Sequence, residues 1–158
     1  MFETPAEPRR IVVIEDSPAD ANLLRIALEK TGLRLDIQII ADGMQALAYF
    51  ESAATAQTGV DCDLVLLDLN IPIINGFEIL ERIRSHPNLK KVPVIMLSGS
   101  SNNDDVQRCY QAGANCYLCK PSGLSEFFSL VAQVLDYWLH CAKIPSRATA
   151  KVSSSRSS

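Results

Sequence analysis

Three short runs of branched aliphatic residues punctuate the chain, Ile11–Ile14, Leu64–Leu67 and Val92–Leu97. Each breaks off in polar or turn residues, the pattern of strands buried on both faces of a parallel sheet. Leu35–Ile40 and Cys116–Cys119 are weaker candidates, and Asp36 and Gln38 alternating with apolar neighbours place one of these strands near an edge. Between the runs, apolar residues recur at helical spacing in Ala19–Lys30, Gln45–Ser52, Gly76–Ser85 and Asn103–Ala112. A last helix is expected from Leu124 to about Ala142, long enough to run past a compact sheet. Strand and helix alternating five times predicts an α/β fold, a five-stranded parallel sheet with helices on both faces.

Composition leaves this picture intact and narrows what the protein can do. The chain has 158 residues, 47% of them hydrophobic and 21% charged, a length that favours one domain with a sizeable core. A formal net charge of −3 argues against a protein that coats nucleic acid, which needs an excess of Lys and Arg. No stretch approaches the roughly 18 apolar residues of a membrane span, and the start of the chain carries Glu3, Pro5, Glu7 and Pro8 where a signal peptide would be basic and then apolar. A cytoplasmic location away from membranes is the expectation. Five cysteines, an odd number spread over the expected core elements, read as buried reduced thiols. The Cys116-x-x-Cys119 pair has no second ligand pair, and its spacing on a strand sends the two side chains to opposite faces.

The expected organisation is a flexible start over residues 1–9, a folded unit over 10–144 and a disordered Ser-rich tail over 145–158, in which Arg147, Lys151 and Arg156 carry positive charge. Residues 53–62 read as a surface loop.

In an open parallel α/β sheet, ligands bind outside the carboxyl ends of the strands. The residues there are Glu15 and Asp16 after the first strand, Asp68 after the third, Ser98 after the fourth, and Lys120 and Pro121 after the fifth. Taken singly, Asp16 would only cap the following helix and Asp68 would only open a turn. Together, three carboxylates on one edge repel one another until they are protonated or bound to metal, and an oxygen donor set with open positions suits Mg²⁺. A carboxylate beside Mg²⁺ can attack a phosphoryl group, with a Lys neutralising the incoming oxygens and a hydroxyl donating to one of them. Asp68, on the middle strand, is the central candidate.

The segments EDSPAD at Glu15–Asp20, LLDLNIPIINGFE at Leu66–Glu78, LSGS at Leu97–Ser100 and AGANCYLCKP at Ala112–Pro121 resemble the receiver domains of two-component response regulators, from about Arg10 to Cys141. The resemblance implies the flavodoxin-like (βα)5 receiver fold, with Asp68 as phospho-acceptor. It implies Mg²⁺ held directly by Asp16, through water by Glu15, and by the main-chain carbonyl of Asn70, with Asp68 in the same metal site. Lys120 would pair with the phosphoryl oxygens, with Pro121 following it through a cis peptide. Ser98 would move toward the phosphoryl group and Tyr117 would turn inward behind it, and Gly99 would leave room for the donor. Glu15 stands where Asp is commoner and Ser98 where Thr is commoner. Asn70 and Ser100 occupy places that in the family tune phosphoryl lifetime. Ser17–Asp20, His86–Pro93 and Asp136–Pro145 resemble the single-domain regulators that partner phytochrome-type sensor kinases.

The expected function is therefore a stand-alone phospho-receiver rather than a metabolic enzyme. A sensor histidine kinase or histidine phosphotransfer protein would supply the phosphoryl group, and output would pass through altered protein contacts. A haloacid dehalogenase-type phosphatase would want a second Asp where Asn70 stands. A flavodoxin-like FMN binder would want a phosphate-cradling loop where Glu15 and Asp16 repel phosphate. Tyr137, Trp138 and Leu139 on the long last helix are expected to expose apolar surface and to favour a homodimer through the fourth helix, fifth strand and fifth helix. His86 and His140 lie apart from the acidic residues and are assigned no role.

Overall fold

The computed structural model describes residues 7–56 and 61–145. Five strands, β1 (Arg9–Ile14), β2 (Leu35–Ile40), β3 (Leu64–Asp68), β4 (Val94–Ser98) and β5 (Cys116–Cys119), form one sheet in the order β2-β1-β3-β4-β5, and every neighbouring pair is parallel. The helices are α1 (Pro18–Glu29), α2 (Gly43–Thr55), α3 (Gly76–Ser85), α4 (Asn103–Gln111) and α5 (Leu124–Asp136), with a 3₁₀ turn over Pro87–Leu89.

The two faces of the sheet follow from the two-residue side-chain period of a strand. Val12 and Ile14, Val65 and Leu67, and Val94 and Met96 join the core under α2, α3 and α4, built on Phe50, Leu80 and Ile83. Their neighbours Ile11 and Val13, Leu64 and Leu66, and Ile95 and Leu97 join the core under α1 and α5 with Leu24, Leu28, Val131 and Leu135. Both faces of the central strands are thus covered, and Leu64–Leu67 read as a continuous apolar run for that reason.

Helix starts are set by local side chains. Ser17, not Asp16, caps α1, accepting from Asp20 N at 3.2 Å, which leaves the Asp16 carboxylate outside the cap. Asp42 caps α2, and Asn75 forms a reciprocal capping box with Glu78 on α3. Gly76 is required where α3 meets the end of β3, because a Cβ there would lie 2.5 Å from the Asp68 carbonyl oxygen.

Several boundaries differ from the sequence expectation. β4 begins at Val94 because Pro93 has no N–H to pair; Val92 is buried but its carbonyl accepts from Arg84 Nη1 at 2.8 Å. Arg84 also donates to Gly113 O and Asn115 Oδ1, pinning the turn before β5, and burial lowers its pKa. α2 reaches Thr55, so the first three residues of the expected loop are helix, and residues 57–60 lie outside the described residues.

The last helix is corrected most. It ends at Asp136, and Tyr137–Cys141 form a π turn closed by Ala142 N–H donating to Tyr137 O at 2.7 Å. This wider turn returns Leu139 to the chain's own core, with Trp138 half-buried beside it, and Arg9 Nη2 donates to the Leu139 carbonyl. The helix does not project past the sheet, and only Tyr137 of the three apolar residues is exposed. The cysteine expectation holds for Cys62 and Cys109, whereas Cys119 and Cys141 are exposed because they face out of the edge strand and the π turn. Arg9 already pairs in β1, so the folded unit starts one residue earlier than expected. Residues 1–6 and the tail from residue 146 lie outside the described residues.

Candidate functional site

Parallel strands deliver all their carboxyl ends to one edge, and that edge assembles the site. Glu15 and Asp16 follow β1, Asp68 ends β3, Ser98 ends β4 and Lys120 follows β5. Carboxylate oxygens of Glu15, Asp16 and Asp68 all lie within 4.8 Å of one another. Glu15 and Asp68 are buried and Asp16 is half-buried. The Lys120 ammonium reaches into this cluster, 2.9 Å from Glu15 Oε1, 3.6 Å from Asp20 Oδ2 and 3.8 Å from Asp68 Oδ1. Asp20, in the first turn of α1, is an addition that sequence reasoning passed over; its distance from Lys120 in sequence hid the pairing.

The electrostatics follow from crowding. Burial, the charge of Glu15 and a hydrogen bond with it push the Asp68 carboxyl up to about 7, against the opposing pull of Lys120 and the Asn70 N–H. Burial alone would lower the Lys120 pKa, but its bond to Glu15 and the charges of Asp68, Glu15 and Asp20 raise it, so it stays a cation. One ammonium faces three close carboxylates. The uncompensated negative charge and the oxygen-only donors fit a hard divalent cation.

Ser98 is fully buried at the end of β4, and its Oγ accepts from Ser100 N at 3.1 Å. The Tyr117 hydroxyl donates to Ser100 O at 2.8 Å, so its ring leans inward over the loop after β4, and the Cys119 thiol meets the same carbonyl at 3.4 Å. Asn70 is exposed at the rim, its N–H 3.4 Å from Asp68 Oδ1. No described peptide bond is cis, so Lys120–Pro121 departs from the cis form that the resemblance implies. Beside the cluster, between α1 and the start of α5, a cavity of about 250 Å³ is lined by Leu23, Leu24 and Phe127 together with Glu15, Asp20 and Lys120. His140 pairs with Asp136 at the far end of α5, and His86 caps α3, both away from this edge.

The sequence model for the response regulator receiver domain matches residues 11–132. The chain belongs to that family. This receiver is 34% identical over 139 residues to the response regulator Rcp1 of Synechocystis, an alignment spanning 88% of this chain and 95% of Rcp1. It is similar to the crystal structure of the phosphorylated cyanobacterial phytochrome response regulator RcpA, with a TM-score of 0.80 and 38% identity over 89% of this chain and 100% of that one. It is also similar to the crystal structure of Mn²⁺-bound Rcp1, with a TM-score of 0.78 and 34% identity over 88% of this chain and 100% of that one. The receiver is a component of two-component signalling and is similar to a phytochrome response regulator. Among the described residues, no helix is long and apolar enough to cross a membrane.

Proposed function

We propose that the receiver accepts a phosphoryl group on Asp68 from a phosphohistidine of a sensor histidine kinase or histidine phosphotransfer protein. The observation that carries this is the convergence of Glu15, Asp16, Asp68 and Lys120 on one strand edge. An Asp68 carboxylate oxygen attacks phosphorus, the bond from phosphorus to the donor imidazole breaks, and the imidazole leaves with that electron pair. Mg²⁺, held by Glu15, Asp16, Asp68 and the Asn70 carbonyl, would offset the charge of these carboxylates and of the incoming oxygens. Lys120 exchanges part of its bond to Glu15 for the phosphoryl oxygens, and the Ser98 hydroxyl donates to another of them, with Tyr117 filling the space behind.

The likeness to the phytochrome response regulator RcpA supports a phytochrome-type kinase as the donor. The receiver works in the cytoplasm, as a signalling protein rather than a metabolic enzyme. Residues 9–144 form the receiver unit. It contacts proteins rather than nucleic acid. Exposed Tyr110 on α4 and Tyr137 after α5 favour a homodimer through α4, β5 and α5, with less apolar area than the sequence suggests because Leu139 is internal.

The test is incubation with a small acyl or amidophosphate donor. One phosphoryl group per chain is expected with Mg²⁺ present, and none when a chelator is added before the donor. Equal incorporation with and without the metal would contradict the proposed role of the acidic cluster.

A further inference from the structure

The first turn of α4 is fastened to the loop that follows Ser98. The Ser100 hydroxyl donates to Asp105 Oδ2 at 2.8 Å, while its N–H donates to Ser98 Oγ at 3.1 Å. One residue therefore ties the buried Ser98 hydroxyl to α4, through its main chain on one side and its side chain on the other. Ser100 and Asp105 are both half-buried, so this bond to a carboxylate is partly shielded from water. One turn along α4, Arg108 Cζ lies 3.9 Å from the centre of the Phe77 ring on α3. Phe77 follows Gly76, the residue packed against the Asp68 carbonyl. The helix thus spans the two arms of the site, held on α3 by Arg108 and on the loop by Asp105.

We infer that Asp105 is a brake on the receiver switch: its bond to the Ser100 hydroxyl holds the loop after β4 in the unphosphorylated arrangement and must yield before Ser98 reaches a phosphoryl group. The inference rests on the reading of Asp68 as the acceptor. Ser98 Oγ cannot swing toward Asp68 without drawing the Ser100 N–H with it or giving up that bond. Asp105, on a helix held at Phe77, does not follow. An interaction made in one state only sets the equilibrium between states, and linkage requires that its loss strengthen binding of any ligand that selects the other state. Among the described residues Asp105 bonds to Ser100, away from the acceptor and the acidic cluster, so it acts as a positioning residue.

The probe is beryllofluoride, a mimic of an aspartyl phosphoryl group, titrated with Mg²⁺ onto the full-length protein and followed by ¹⁹F NMR. Asp105→Ala is expected to bind it about five- to tenfold more tightly than wild type. Asp105→Asn, which keeps an acceptor for the Ser100 hydroxyl, should stay within about twofold of wild type. Asp104→Ala removes a charge from the same helical turn without touching Ser100 and should change nothing. Ser100→Ala reads the same bond from its other end, and should strengthen binding without adding to Asp105→Ala in the double variant. It also replaces Asp105→Ala if that variant fails to fold. Unchanged or weaker binding in the variants, or the same gain in Asp104→Ala, overturns the brake. Failure of the wild type to bind the mimic overturns the Asp68 reading and the brake with it.

Discussion

Lys120 and Glu15, 105 positions apart in sequence, meet at 2.9 Å and join the end of β5 to the end of β1 across the top of the sheet. Glu15 is almost wholly buried, so removing its cation leaves a buried charge beside two more carboxylates. Lys120→Met should lower stability at neutral pH by about 3 kcal/mol, measured as a fall in the urea midpoint. Saturating Mg²⁺ should recover much of that loss. A deficit unchanged by the metal would mean that Lys120 matters by packing and not by charge.

The carboxyl of Asp68 sets a pH dependence. Its pKa is about 7 in the folded chain against an ordinary 3.8, so between about pH 4 and pH 7 the native state binds more protons than the unfolded one. Stability without divalent metal should therefore fall as pH rises through that window. Asp68→Asn should flatten this slope and be more stable than wild type at pH 8, on the order of a few kcal/mol. Thermal melts of both proteins in chelator across this range check the sign; a wild type that gains stability from pH 4 to pH 7 relative to Asp68→Asn would refute it.

Much of this was legible in the sequence, for a physical reason. Strands covered on both faces must be apolar throughout, so Ile11–Ile14 and Leu64–Leu67 announce themselves, and residues at their carboxyl ends must share an edge. The motif segments at Glu15, Asp68, Ser98 and Lys120 lie at those carboxyl ends, and the structure brings these residues together on one edge. What stayed hidden depends on distant partners. The bond between Ser100 and Asp105 and the stacking of Arg108 on Phe77 leave no periodic trace. Leu135 and Leu139 keep helical spacing and so predict continued helix where the π turn at Tyr137–Cys141 stands; the extra residue per turn and the Arg9 bond to Leu139 O are set by tertiary packing.

Backbone strain sits in the loop after Asp68. Ile73 has φ 70°, a conformation that a β-branched side chain rarely adopts, in a three-residue turn closed by Ile74 N–H donating to Pro72 O at 2.8 Å. Its side chain is 92% exposed, so no burial offsets the strain. Ile73→Asn should raise stability by about 1 kcal/mol and the melting temperature by about 2–4 °C. A drop in melting temperature would show that the isoleucine packs in solution.

Leu139 and Tyr137 separate the two readings of the chain's end. Leu139→Ala should cost about 2–4 kcal/mol through a core cavity, whereas Tyr137→Ala should be near neutral for folding of the monomer. Chemical denaturation reports the first effect. Sedimentation of Tyr137→Ala reports assembly: a weakened dimer is expected, and an unaltered one would move the interface elsewhere.

Phosphoryl transfer as proposed leaves phosphorus on one carboxylate oxygen of Asp68. After reaction with a small phosphodonor and Mg²⁺, borohydride reduction converts an aspartyl phosphate to homoserine, and peptide mass mapping locates the change. The account predicts homoserine at position 68 alone, and no conversion in Asp68→Asn. Conversion at Asp16, or a stable phosphoryl group on Ser98 that survives the Asp68→Asn substitution, would contradict it.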